Sequence, residues 1–148
     1  MFVSQSLKEV FSIQEKEDII QAIQYAEIDS SCEFKVHIDR KCPEDSIKRA
    51  QDLFQKLEVY KTKDQNGILF YVNLECRRFI ILPDKGVEAK IPGNFWDEIY
   101  HIMLTHFRKD NYAGGLSLAI QKSGEKLKAY FPYYKDDKNE IPDDISLE

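Results

Sequence analysis

Five side chains able to offer oxygen to a hard cation stand beside chain reversals: Glu33, Asp64, Asn66, Asp84 and Asp97. Glu33 follows the break at Asp29-Ser30-Ser31, and Asp64 and Asn66 close the polar stretch Lys61 to Asn66. Asp84 lies in Pro83-Asp84-Lys85-Gly86, and Asp97 opens a helical pattern after Asn94. An all-oxygen set of carboxylates and one amide suits calcium or magnesium better than zinc, which takes nitrogen and sulfur. Carboxylates packed together repel unless a cation neutralises them. That cation is either a metal or one of Lys61, Lys63 and Lys85 in the same loops. No EF-hand spacing is present, so a metal site here would be assembled from separated loops and would order them on binding. The plainer reading is a rim of solvated loop acids, which are common on any surface.

Other chemistry is thinly represented. The chain has no Gly-x-Ser-x-Gly elbow, no Cys-x5-Arg loop and no Gly-x4-Gly-Lys phosphate cradle, so no protein nucleophile can be named. His101 and His106 are five apart and do not share a helical face as a two-histidine metal pair would. His37 alternates with apolar strand residues, and the histidines read as structural. Arg40, Arg77 and Arg78, with Asp39, Asn73 and Glu75, form a second polar set suited to a phosphate or a partner's carboxylate. The three cysteines, Cys32, Cys42 and Cys76, lie 10 and 34 residues apart with no Cys-x-x-Cys pair. This spacing speaks against a disulfide framework and a zinc site and leads us to expect reduced thiols in a cytoplasmic protein. Trp96 and Tyr112 read as packing residues.

The elements that must position these groups follow from periodicity. Ser12 and Glu15 form a capping-box start, and Ile19, Ile20, Ile23 and Ala26 carry a first helix to about Glu27. Phe34 to Asp39 alternates apolar and polar, as a strand with one buried face does. Pro43-Glu44-Asp45 opens a second helix, with Ile47, Ala50, Leu53, Phe54 and Leu57 as its apolar stripe, ending near Tyr60. Gly67 introduces Ile68 to Val72, apolar on both faces as in a central strand. Asn73 to Cys76 is a hairpin turn, and Arg77 to Leu82 returns antiparallel until Pro83 stops it. Asn94 is the expected N-cap of a third helix, and Asp110-Asn111 separates it from a fourth that Pro132 ends. Gly114 and Gly115 would let that last helix pack closely.

This order predicts an α/β fold, a three-layer αβα sandwich around a small mixed β-sheet. If the first crossover is right-handed, the first two strands are parallel and Glu33 and Gly67 enter the sheet at one edge. The hairpin then returns Asp84 to that same edge, and the helix that carries Asp97 starts there. Arg40, Arg77 and Arg78 fall at the opposite edge, where α/β sheets conventionally bind ligands.

Several linked motifs resemble the TPM domain family, whose members include the thylakoid-lumen acid phosphatase, a photosystem II repair protein and a membrane-anchored receptor accessory protein. They are Ser30-Ser31-Cys32-Glu33, the run from Leu57 through Lys61-Thr62 to Asn66-Gly67-Ile68-Leu69, and the Asp84-Lys85-Gly86-Val87 turn. Phe95-Trp96-Asp97-Glu98-Ile99, Tyr112-Ala113-Gly114-Gly115-Leu116 and Gly124 complete the match over about residues 12–132. The resemblance implies the αβα sandwich, a divalent metal, usually calcium, in loops at one sheet edge, and the acid phosphatase activity of some members. Cys32 stands where the family often has glycine, and the signal peptide and C-terminal membrane or Gly-rich segment of many relatives have no counterpart here. The chain is therefore expected to be a stand-alone soluble member. Its expected role is a calcium-binding regulatory or interaction module with Glu33, Asp64, Asn66, Asp84 and Asp97 as ligands. A weak metal-dependent phosphatase is the alternative.

Composition bounds the remaining options. The chain has 148 residues, 43% of them hydrophobic, enough for one well-filled domain. The domain is expected over residues 1–134, followed by an acidic tail, 135–148, solvated and available to a protein partner. Six acids against two lysines give that tail −4 of the net charge of −5. The near-neutral body excludes the basic field that nucleic-acid binding needs. No apolar run approaches the roughly 18 residues of a membrane span.

Overall fold

A computed structural model describes residues 10–133, 140–141 and 143–148. Helix α1 (Ile13–Asp29) leads to strand β1 (Glu33–Asp39), helix α2 (Ser46–Lys56), strand β2 (Gly67–Asn73) and strand β3 (Arg78–Pro83). A single helical turn, α3 (Lys85–Glu88), then precedes α4 (Asp97–Phe107), α5 (Tyr112–Leu127) and a short strand β4 (Ile145–Leu147). The sheet order is β3-β2-β1-β4. β1 runs parallel to both β2 and β4, and β3 is antiparallel to β2.

Local chemistry explains the element ends. Ser12 accepts from the Glu15 amide while the Glu15 side chain accepts from the Ser12 amide, the full capping box at α1. Asp45 caps α2 by accepting from the Lys48 amide, and Asn111 caps α5 by accepting from that of Gly114. Asn94 does not cap α4. The helix begins three residues later behind Trp96, which offers no side-chain cap, because a turn from Pro92 to Asp97 occupies the intervening backbone. The expected long loop after Pro83 contains α3, with Asp84 as its N-cap.

The alternation of β1 splits two cores. Phe34, Val36 and Ile38 join Ile68, Phe70 and Val72 under α1, α4 and α5, while Leu69 and Tyr71 face Ala50, Leu53 and Phe54 of α2. This is the expected three-layer sandwich. The polar face of β1 is not solvated, however: all seven residues of the strand are buried, because α2 and the C-terminal segment cover Lys35, His37 and Asp39. Helix α5 packs tightly on its neighbours through two glycines. A Cβ on Gly124 would stand 2.6 Å from the Ala26 Cα of α1, and one on Gly115 would stand 2.8 Å from the His106 Cβ of α4. Gly114 meets only the Asn111 side chain that caps the same helix, so the expected close-packing pair is Gly115 and Gly124 instead.

Two expectations are corrected. The end of the chain is not wholly a solvated tail: Ile145 to Leu147 pair with Val36 to Ile38, and Ile141 is 2% exposed. Alternating Ile145, Ser146 and Leu147 supplies just enough strand pattern to cover the open edge of β1, which would otherwise leave a row of backbone groups unpaired. Residues 135–139 and 142 of that tail, and Tyr134 before it, lie outside the described residues. Cys42 and Cys76 are not separate thiols. The hairpin brings their Cα atoms to 5.5 Å and they form a disulfide, while Cys32 is buried apart from them.

Candidate functional site at the head of β1

The parallel crossover places Glu33 opposite Gly67, as the connectivity requires. The Glu33 amide donates to the Asn66 carbonyl at 3.1 Å, and the Asp84 amide donates to the Gly67 carbonyl at 2.9 Å. Gly86 seals this junction: its amide donates to the Gln65 carbonyl, and a Cβ there would stand 2.3 Å from the carbonyl oxygen of Asp64. The starts of β1 and β2 and the end of β3 therefore meet where the sequence placed them.

The structure treats the five predicted residues unequally. Glu33 and Asn66 are buried, at 4% and 3% exposure. Asn66 is held by its amide donating to Thr62 Oγ1 at 2.9 Å and its Nδ2 donating to the Ser31 carbonyl at 2.7 Å, which leaves Oδ1 buried without a partner. Glu33 Oε1 accepts from the Ile141 amide at 2.7 Å, and Oε2 is buried without a partner. Asp84 is half-buried and spends Oδ1 on the Lys85 amide at 2.7 Å. Asp64 and Asp97 are exposed, and their side chains make no hydrogen bond or ion pair among the described residues. Among the described residues no three Asp, Glu, His or Cys side chains are gathered tightly enough to hold an ion as they stand.

Sequence reasoning missed two contributors. Glu27, from the last turns of α1, reaches the edge and accepts from the Phe34 amide at 3.0 Å. Asp143 arrives from the C-terminal segment, with Oδ1 buried and unpartnered. Glu27 sits one helical turn before the break that carries Glu33, a signal that was legible. Asp143 was not, because its placement depends on β4 pairing with β1.

Among the described residues no cation pairs with the buried acids of this edge. Burial, reinforced by the Asp143 carboxyl beside it, pushes the Glu27 carboxyl up to about 10. Burial and the charge of Glu140 raise Glu33 to about 7, against the Ile141 and Glu140 amides that favour its charged form. None of the ion pairs among the described residues involves Glu27, Glu33 or Asp143. The lysines expected to neutralise the set do otherwise. Lys61 pairs with Glu58 at 2.7 Å, neither Lys63 nor Lys85 forms an ion pair among the described residues, and the Lys63 backbone amide donates to Glu140.

At the opposite end of β1 the Arg40, Arg77 and Arg78 edge is differently built. Arg77 pairs with Asp110 at 3.3 Å, and Asp39 is enclosed by donors. Arg49 Nε and Nη2 each reach Asp39 at 2.9 Å, and the Tyr71 hydroxyl donates to it at 2.7 Å. His37, fully buried, joins Asp39 Oδ1 at 2.8 Å and Ser146 Oγ of β4 at 2.9 Å. Both ring nitrogens of His37 are therefore engaged inside the fold. His106 likewise meets the Ile102 carbonyl at 2.8 Å within its own helix.

Comparison with known proteins agrees with this architecture. The sequence profile of the TPM domain matches residues 5–126. The solution structure of the BA42 protein from the psychrophilic bacterium Bizionia argentinensis superposes with a TM-score of 0.91 at 36% identity, over 97% of this chain and 99% of that one. The N-terminal domain of a protein from P. gingivalis superposes with a TM-score of 0.66 at 26% identity, covering 86% of this chain and 82% of that one. No functionally curated protein matches the chain. Among the described residues no helix is long and apolar enough to cross a membrane.

Proposed function

The chain belongs to the TPM domain family, and from that premise we propose that it binds a divalent cation, calcium in preference to magnesium, at the head of β1 and acts as a cation-responsive regulatory or interaction module. The observation that carries the reading is that Glu33 Oε2, Asn66 Oδ1 and Asp143 Oδ1 are each buried without a partner among the described residues, while burial raises the proton affinity of Glu33 and Glu27. A site that holds protons for want of a countercharge is one that a hard cation can take over. The donors are all oxygen, and they come from a rigid strand, a loop and a C-terminal segment. Such mixed rigidity suits the adaptable coordination of calcium more than the strict octahedron of magnesium. In this reading Glu33 and Asn66 are central ligands. Asp84, Asp64 and Asp97 belong to the surrounding loops, and binding draws Asp143 and Glu27 inward to complete the shell.

The test is a calcium titration of chelator-treated protein followed by backbone NMR. Saturable shifts confined to residues 27–33, 62–67, 84–98 and 140–148 are expected. Absence of shifts at saturating calcium and magnesium would reduce these acids to a buried but inert rim. Aryl phosphate hydrolysis measured on the same samples separates the module from a metal-dependent phosphatase. The module predicts no turnover, whereas turnover that disappears in Asp84→Ala would establish the enzyme.

A further inference from the structure

The Cys42–Cys76 disulfide lies far from the head of β1 and serves none of the chemistry proposed there. It ties the segment after β1 to the β2–β3 hairpin, and three features of its surroundings bear on its use. First, the bond is reachable: Cys42 is exposed and Cys76 half-buried. Second, the two segments are already joined without it. The Leu74 amide donates to the Asp39 carbonyl at 3.0 Å, the Cys42 amide donates to Glu75 Oε1 at 2.8 Å, and Asn73 Nδ2 donates to the Lys41 carbonyl. Third, a place for the reduced sulfur exists. Cys76 Sγ stands 3.1 Å from Asn73 Oδ1, which already accepts from the Cys76 amide at 2.9 Å, so a thiol there would have an acceptor for its proton.

From this geometry we propose that Cys42–Cys76 is a reversible redox modification site, opened by a glutathione-class thiol or a dithiol reductant, that clasps the 40–46 loop to the hairpin without being needed to hold the fold. The thiolate of the reductant attacks the exposed Cys42 sulfur and the Cys42–Cys76 bond breaks. Cys76 leaves as a thiolate, takes a proton from water and donates it toward Asn73 Oδ1. A second reductant thiol then resolves the mixed disulfide at Cys42. The sum is one protein disulfide and two reductant thiols giving two protein thiols and one oxidised reductant, a two-electron exchange. The bond forms part of the wall of a groove of about 720 Å³ between the 42–47 and 76–80 segments, bordered by Asp45, Ser46, Arg77 and Arg78. Opening the clasp frees that wall to move while the sheet hydrogen bonds remain.

Equilibrating the full chain in a series of reduced-to-oxidised glutathione mixtures, trapping by alkylation and mapping the peptides tests this. A midpoint within the series is expected. The reduced protein should keep a cooperative melt and its far-ultraviolet spectrum, with amide exchange rising severalfold in residues 40–46 and 73–78 but not in 33–38 or 67–72. The Cys42→Ser/Cys76→Ser variant should reproduce the reduced exchange pattern and lose all dependence on the mixture. A pair that stays closed in the most reducing mixture and opens only in denaturant would overturn the proposal in favour of a structural staple. So would reduction that unfolds the chain, or a pair that fails to close in the oxidising mixtures. None of these outcomes depends on whether calcium binds at Glu33.

Discussion

Glu33 and Asp39 stand at opposite ends of the same seven-residue strand and are equally buried, each 4% exposed, yet the protein treats them in opposite ways. At Asp39 burial alone would raise the carboxyl pKa, but hydrogen bonds from His37, Arg49 and Tyr71 outweigh it and hold the group well below the usual carboxylate range. At Glu33 burial prevails, one carboxylate oxygen lacks a partner, and Glu27 nearby is raised further still. One end is a completed network, the other a set of acceptors awaiting a donor or a cation. The contrast teaches that burial of an acid is not by itself a functional signal. What distinguishes the two ends is whether the fold supplies the countercharge.

Substitutions at the completed end should destabilise the protein by graded amounts. Asp39→Asn leaves the Arg49 guanidinium without its bidentate partner and disturbs His37 and Tyr71, and it is expected to cost about 3 kcal/mol in urea unfolding, as breaking a buried ion pair does. A neutral result there would erase the comparison. Ser146→Ala removes the link between His37 and β4 and should cost about 1 kcal/mol, with the exchange of amides 145–147 rising more than that of β2. Glu148→Ala breaks pairs to Lys56 at 2.8 Å and Arg49 at 3.3 Å that are largely solvated, so about 0.5 kcal/mol or less is expected.

The dependence on pH should carry both signatures. Asp39 has a depressed pKa, so its contribution is present above the unfolded-state value near 4 and is lost as pH falls through that range and below. Glu33 and Glu27 have raised pKa values, so the stability linked to their protonated forms is full below their ordinary value of 4.5. It declines as pH rises through about 7 for Glu33 and about 10 for Glu27. Urea midpoints measured in chelator should therefore fall on the acid side because of Asp39, and from pH 5 upward because of Glu33 and Glu27 together, with Glu27 alone carrying the decline above about 7. Glu33→Gln should make the second decline shallower between pH 5 and 7, leave the part that Glu27 carries toward pH 10, and leave the first unchanged.

The layered architecture and the convergence of Glu33, Asn66 and Asp84 on one edge were legible from periodicity and one handedness rule. Capping at Ser12 and Asn111 was legible from residue type at helix starts, whereas Asp45, expected inside a first turn opened by Pro43, is itself the N-cap of α2. Three features were not. Ile145 to Leu147 make too short an apolar alternation to stand out against the surrounding acids, and the strand exists because β1 offers it an edge. Without that strand Asp143 cannot be placed beside Glu27. The Cys42–Cys76 pair follows from the lateral alignment of Asp39 with Asn73 across parallel strands, a register that spacing of 34 residues does not reveal. The polar face of β1 read as solvent-facing because alternation reports which face is apolar, not whether a second layer covers the other.

The central claim is that Glu33 holds its proton for want of a cation, and thermal melting of wild type and Glu33→Gln at neutral pH, each in chelator and in calcium, tests it most directly. The neutral amide relieves the desolvated charge, so in chelator the variant should melt at or above the wild-type temperature. Calcium should raise the melting temperature of the wild type and leave that of the variant unmoved. A variant that melts well below wild type in chelator, or one that responds to calcium as the wild type does, would contradict the account.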